Sequence, residues 1–191
     1  MSPTASKQPP PKKARFFLAL LPPPQVQAYA TELKEYFRDR YSSKAALSSP
    51  PHITLQPPFE WPDDECDRLQ TTLANFSLQQ VSIPIELFRF GSFPPRVIYI
   101  AVKSTPELMT LQMHLNQYLK ESLDIIHPQS HTRPFCPHLT VAFRDLKTAA
   151  FRQAWLEFEQ REVQFSFLAH ELTLLIHTGS CWEAHTTFHF T

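Results

Sequence analysis

The chain is predicted to be an α+β protein built from two similar halves that face each other across a cleft, and three observations predict it. A short pattern, Pro-His-apolar-Thr-apolar, occurs twice, as Pro51-His52-Ile53-Thr54-Leu55 and as Pro137-His138-Leu139-Thr140-Val141. From the composition of the chain, a chance copy is expected on the order of 0.01 times. The order strand, helix, motif strand, helix, strand can be read twice along the sequence, and the two motif histidines are 86 residues apart (52 to 138), about one such unit. A repeat of that period predicts an internal duplication about a pseudo-two-fold axis, with the two motif faces set across one cleft.

Residues 1 to 14, rich in Pro, Ser and Lys, have almost nothing apolar and are expected to form a disordered tail. Residues 15–191 are expected to form a single domain with lobe repeats at about 15–90 and 96–176 and a C-terminal strand at 181–190. Arg15 to Leu21 reads as a buried strand. Val26, Tyr29, Ala30, Leu33, Tyr36 and Phe37 then recur at helical spacing to about Arg40. A polar loop, Ser42 to Pro51, delivers the first motif strand. Trp61-Pro62-Asp63-Asp64-Glu65 opens a helix with Pro and acids in its first turn and Leu69, Leu73 and Phe76 inward. Val81, Ile83, Ile85 and Leu87 alternate as in a strand, and Pro84 predicts an edge or a bulge there.

The second half begins with a strand at Val97 to Val102. Thr105-Pro106-Glu107 caps a helix whose inward residues are Leu108, Leu111, Leu115, Tyr118 and Leu119. The loop Asp124 to Cys136, which contains Arg133, is expected to form a rim or lid. After the second motif come a helix with Phe151, Ala154, Trp155 and Phe158 inward, strand sequence at about Val163 to Ile176, and the last strand.

Composition excludes several function classes. No apolar run approaches the ~20 residues that span a bilayer, so a soluble protein with no membrane role is expected. Three cysteines, Cys66, Cys136 and Cys181, without a Cys-x-x-Cys pair, fit a reducing compartment, and the cytoplasm is the expectation. Lys plus Arg and Asp plus Glu balance at 18 each, so no overall field draws in a long polyanion, and a nucleic-acid substrate would be gripped locally, at an end. With only Gly91 and Gly179 the chain can hold neither a P-loop nor a Gly-x-Gly-x-x-Gly turn, so any phosphate must be bound by side chains.

Residues two apart in a strand share a face, so His52 projects with Thr54 and His138 with Thr140, while Ile53, Leu55, Leu139 and Val141 form apolar backs. Two facing imidazoles, whose ordinary pKa lies nearest neutrality, can serve as general base and general acid in one displacement. The threonine hydroxyls would donate to an anion held between them. Phosphodiester cleavage needs this set. A third His-x-Thr, His185-Thr186-Thr187, lacks the preceding Pro and a matching repeat and is read as structural or rim. No metal site is expected: there is no His-Glu-x-x-His, and His127 and His131 span Pro128. Cys136 is read as packed or idle. Arg133 offers planar charged donors to a phosphate. Phe59, Trp61 and Phe93, in Pro-rich stretches beside strand ends, include candidates for stacking on a base, and Phe59 and Phe93 are taken as substrate-binding.

On His52-Ile53-Thr54-Leu55, on Arg133-Pro134-Phe135-Cys136-Pro137-His138-Leu139-Thr140, and on Phe90-Gly91-Ser92-Phe93, the chain resembles the two-histidine phosphoesterase superfamily. Within it the likeness is to the LigT-like group of 2'-5' RNA ligases and RNA 2',3'-cyclic phosphodiesterases, from about Arg15 to the C-terminus. The resemblance implies a bilobal α+β fold with two antiparallel sheets flanking the cleft, and opening of a 2',3'-cyclic phosphate without a metal or other cofactor. It implies that the first-motif histidine acts as acid and the second as base. The expected partner is an RNA 3'-end or a small cyclic nucleotide. No protein partner is implied, and a monomer is expected. This chain has Gln56-Pro57-Pro58-Phe59-Glu60-Trp61 where many members continue the first motif as Phe-Leu-Gly.

Overall fold

The computed structural model describes residues 12–126 and 134–191. Along the described chain run β1 (Lys13–Leu20), α1 (Pro24–Tyr41), β2 (Ile53–Pro62), α2 (Cys66–Ser77), β3 (Ile83–Phe93), β4 (Val97–Val102), α3 (Pro106–Leu123), β5 (His138–Ala142), α4 (Thr148–Phe158), β6 (Glu162–Ala169), β7 (Glu171–His177) and β8 (Trp182–His189). The α+β class is as the sequence predicts. The two expected sheets are instead one eight-stranded sheet in the order β6-β3-β4-β5-β2-β1-β7-β8, antiparallel throughout. The join lies between the motif strands, where Ile53 pairs with Leu139. Two separate sheets would have left each motif strand with an unpaired backbone edge, and pairing them removes both edges.

The expected lobes also interlock. β3, from the first half of the sequence, lies between β4 and β6 of the second, and β7 returns to pair with β1. Pro84 sits before Leu87, the first residue of β3 with a partner on β4, so β3 has β6 on one side only at that point; a register shift follows between Leu87 and Arg89. The edge reading of the proline is met, and the bulge lies further along the strand. The first strand begins at Lys13 rather than Arg15, because β2 runs on to Pro62: Lys13 pairs with Pro62, Ala14 with Trp61, and the Asp63 N–H donates to the Lys12 carbonyl at 2.9 Å. Phe59 and Trp61 therefore lie in a strand, and α2 opens at Cys66 after a single tight turn at Asp63–Glu65. The stretch at 163–176 is two strands, broken at His170.

The helices that precede the two motif strands match in length and in both ends. α1 and α3 both have 18 residues, start on Pro24 and Pro106, and end at Ser42 and Asp124, each in the left-handed region at φ 54°. Proline fits the first helical turn because its missing N–H would be unpaired there, and a left-handed residue satisfies the last carbonyls. Thr105 Oγ1 also accepts from the Leu108 N–H at 3.3 Å, as the sequence predicts for its cap.

The inward residues of all four helices, among them Leu33, Phe37, Leu69, Leu73, Leu108, Leu115, Phe151 and Phe158, share one core with the apolar backs of the central strands. Ile53, Leu55, Leu139 and Val141 are at most 1% exposed. Truncating such a residue costs about 2–5 kcal/mol, so the motif strands are anchored from behind. The opposite face holds a small cluster of Phe17, Ala19 and Leu175, bordered by Leu21 and Trp182. Among the described residues no helix is long and apolar enough to cross a membrane.

Candidate active site

His52, Thr54, His138 and Thr140 are each partly accessible, alternating with fully buried apolar neighbours. The antiparallel register through Ile53 and Leu139 carries His52 toward Thr140 and Thr54 toward His138, so each histidine is matched with the hydroxyl of the other motif. All four side chains thus share the face away from the helices.

Both imidazoles are held in the same way. His52 Nδ1 lies 2.7 Å from the Pro50 carbonyl, and His138 Nδ1 lies 2.7 Å from the Cys136 carbonyl. A carbonyl can only accept, so Nδ1 carries the proton and Nε2 carries the lone pair in the neutral ring. The motif prolines account for the geometry: a residue preceding proline is confined to extended backbone, which orients the Pro50 and Cys136 carbonyls before Pro51 and Pro137. With Nδ1 held, Nε2 is the position at which each ring takes up or gives a proton, and an acid/base pair requires one ring neutral and the other protonated there.

Burial lowers both histidine pKa values. For His52 the value is pushed down to about 4; the Pro50 carbonyl opposes the shift, and the charges of Lys34 and His138 add to it. For His138 the Cys136 carbonyl again opposes the effect of burial.

An aromatic ring from the neighbouring strand packs on each histidine: Phe17 of β1 on His52, ring centres 4.7 Å apart, and Tyr99 of β4 on His138, 5.0 Å apart. Trp182 meets Phe17 edge-on at 4.7 Å, with Arg15 stacked over it at 5.6 Å. Phe93 lies 4.5 Å from Tyr99 and edge-on to His138 at 5.2 Å. Phe93 is 40% exposed beside the second histidine, where a base could reach it. Gly91 is required here by close approach, since a Cβ on it would fall 2.4 Å from the Tyr99 ring. Arg89, two pairs from Gly91 along β3, alternates with buried Phe90 and so shares the motif face.

Other sequence candidates fall elsewhere. Phe59 is a correction: it pairs with Phe16 across β1 and β2, their rings 6.2 Å apart, and belongs to the core behind the sheet. The proline-rich stretch that reads as loop is strand, and its alternation turns Phe59 inward. His185 is the extra residue where the β7–β8 register shifts, and it packs on Phe16, away from the motifs; Thr186 Oγ1 donates to Gln70 of α2. Arg133, His127 and His131 lie outside the described residues. No group of three or more His, Cys, Asp or Glu lies together among the described residues. Sequence reasoning missed Phe17, Tyr99, Trp182, Arg15 and Arg89. A signal existed for the first two: Phe16-Phe17-Leu18-Ala19-Leu20 and Ile98-Tyr99-Ile100-Ala101-Val102 are the same apolar-aromatic-apolar-Ala-apolar strand repeated.

Comparison with known proteins adds four matches. A family model described as the 2'-5' RNA ligase superfamily matches residues 22–180. A putative phosphoesterase of Geobacillus kaustophilus is 29% identical over 176 residues, covering 91% of this chain and 95% of that protein. Among solved structures, TT0787 of Thermus thermophilus aligns with a TM-score of 0.69 at 20% identity, over 92% of this chain and 97% of that one. Escherichia coli LigT complexed with 3'-AMP aligns with a TM-score of 0.65 at 20% identity, over 94% and 99%.

Proposed function

The chain belongs to the 2'-5' RNA ligase superfamily, and on that premise we propose that it is a phosphodiesterase that opens 2',3'-cyclic phosphates, on RNA 3'-ends or on nucleotides, to 2'-phosphates. One observation carries the reading: two imidazoles, each with Nδ1 tied to the carbonyl two residues earlier, lie on adjacent antiparallel strands with a threonine of the other motif opposite each. The halves that carry them are read as duplicates related by a two-fold axis.

In the reaction, water attacks phosphorus and the bond from phosphorus to the 3' oxygen breaks. The proton lost by water goes to Nε2 of one histidine, and Nε2–H of the other gives its proton to the leaving sugar oxygen. The resemblance assigns the base to His138 and the acid to His52. Thr54 and Thr140 donate to the non-bridging oxygens as charge builds on them. Phe93 is the proposed base-stacking residue, supported by its exposure beside His138. Arg133 is kept as a proposed phosphate contact on its sequence position, five residues before His138. LigT is complexed with 3'-AMP in one of the solved structures, which supports a nucleotide in the cleft. With an RNA 5'-hydroxyl in place of water as the nucleophile, the same displacement, with the same bond to the 3' oxygen breaking, forms a 2'-5' linkage.

The test is incubation with each nucleoside 2',3'-cyclic phosphate and with an RNA oligonucleotide ending in one, read by phosphorus NMR. A 2'-monophosphate signal is expected; no turnover, or a 3'-monophosphate, sinks the proposal.

A further inference from the structure

A lysine lies beneath the first motif, where an apolar side chain would pack at less cost. Lys34 on α1 is 2% exposed, and among the described residues no carboxylate lies within ion-pair distance of its ammonium. Its Nζ donates to the Ser49 carbonyl at 2.9 Å. Ser49 is the residue before Pro50, and the Pro50 carbonyl is the one that holds His52 Nδ1. Two hydrogen bonds joined through one residue, Pro50, therefore run from the helix to the imidazole. Burying an ammonium without a counter-ion is unfavourable, and an apolar residue of similar size at such a place is often neutral or stabilising.

We infer that Lys34 is a positioning residue of this site: its ammonium ties the Ser49-Pro50-Pro51 turn to α1, fixing the Pro50 carbonyl and with it the tautomer and orientation of His52. The inference rests on the phosphoesterase reading for its link to turnover and on the geometry alone for its link to His52. The charged groups that act on His52 are Lys34 from α1 and His138 from β5, both of which disfavour the imidazolium. Burial in turn lowers the Lys34 pKa to about 8. Among the described residues the second half shows no such device: Asn116 occupies the matching place on α3, 82 residues on (34 to 116), and its Nδ2 donates to Gln112 of its own helix.

The test compares wild type with Lys34→Met, which keeps the length of the side chain and removes donor and charge. Nitrogen-15 spectra of the histidine rings should show a single Nδ1–H tautomer for His52 and His138 in the wild type. In Lys34→Met, His52 should lose that signature and titrate at higher pH while His138 keeps both. Loss of an outer hydrogen-bonding partner typically costs about 10–100-fold; the expected fall is in kcat, with KM changing by less than about twofold because no substrate contact is removed. His52 resonances and a pH profile identical to wild type would overturn the inference. Should Lys34→Met fail to fold, the wild type decides: His52 ring nitrogens should show a second inflection near pH 8 as Lys34 loses its proton, and a flat response there overturns it. The expected His52 responses in a protein that turns over no cyclic phosphate would retain the Lys34 assignment and remove the phosphoesterase reading.

Discussion

The two halves of the site share a scaffold and differ in what stands behind it. Each histidine follows a proline, is held at 2.7 Å by the carbonyl two residues earlier, and packs on an aromatic ring of the adjoining strand. Beside His52 are a buried lysine and Phe17 covered by Trp182; beside His138 is Tyr99, resting on Gly91 next to an exposed Phe93, and the helix position that matches Lys34 is Asn116, bonded within its own helix. The consequence is electrostatic: both imidazoles are lowered by burial, and among the described residues a buried ammonium adds to the effect at His52 and not at His138. The matched motifs thus set where the two rings stand, and residues one layer away set how readily each takes a proton.

Removing either ring should have the largest effect. His52→Ala and His138→Ala are each expected to lower kcat/KM by about 10²–10⁴, with the double mutant falling by less than the product, since groups acting as one unit are not additive. A substrate whose leaving group needs no proton should rescue only one of the two. Rescue of His52→Ala assigns it the acid, as the resemblance implies; rescue of His138→Ala alone reverses the roles, and wild-type rates in both mutants would end the two-histidine reading. Next in size are Thr54→Val and Thr140→Val, which keep shape and remove one donor each. Losses of about 10²–10³ in kcat are expected by analogy with an oxyanion donor. Near wild-type rates would make the threonines structural.

The ranking of these effects was largely available before the structure, because the chemistry sits on two short strands whose period of two is readable from His52-Ile53-Thr54-Leu55 and its repeat. What the sequence hid were pairings set at long range. β3 was legible as a strand, but nothing local says that it joins β4 and β6 rather than its own half, and the single sheet follows from the one Ile53–Leu139 pair. Phe59 misled because three prolines within six residues read as loop, whereas β2 carries them as an extended strand along β1. Lys34 was invisible for another reason: a lysine on an amphipathic helix ordinarily lies in water, and its burial is decided by the loop at 42–51 folding over it.

Gly91→Ala acts on one half alone. The new methyl would meet the Tyr99 ring and push it off His138, with no counterpart at His52. A fall of roughly tenfold in kcat is expected, of the size that follows from a misplaced supporting residue, with His138 ring signals shifted and those of His52 unchanged. Equal disturbance of both histidines would mean that the halves are mechanically coupled across the β2–β5 pair, and unchanged kcat would detach Tyr99 from catalysis.

The smallest effect is a displacement of the pH optimum, and its sign follows from burial. The reactive form needs one imidazole neutral and the other protonated, so kcat/KM, which reports the free protein, peaks midway between the two histidine pKa values. Both lie below the ordinary 6.5, His52 at about 4, so the peak falls between those limits and activity at limiting substrate declines as pH rises through neutrality. A bound phosphate anion favours both imidazolium forms and raises both values, so the kcat profile should be displaced to higher pH than that of kcat/KM. The His52 half should account for more of the displacement, because its ring starts further below neutrality. In Lys34→Met, where the repelling ammonium is gone, the kcat/KM peak should move upward toward the kcat peak. Coincident wild-type profiles, or a kcat/KM optimum above pH 7, would mean that burial does not set these protonation states and that the two halves are electrostatically alike.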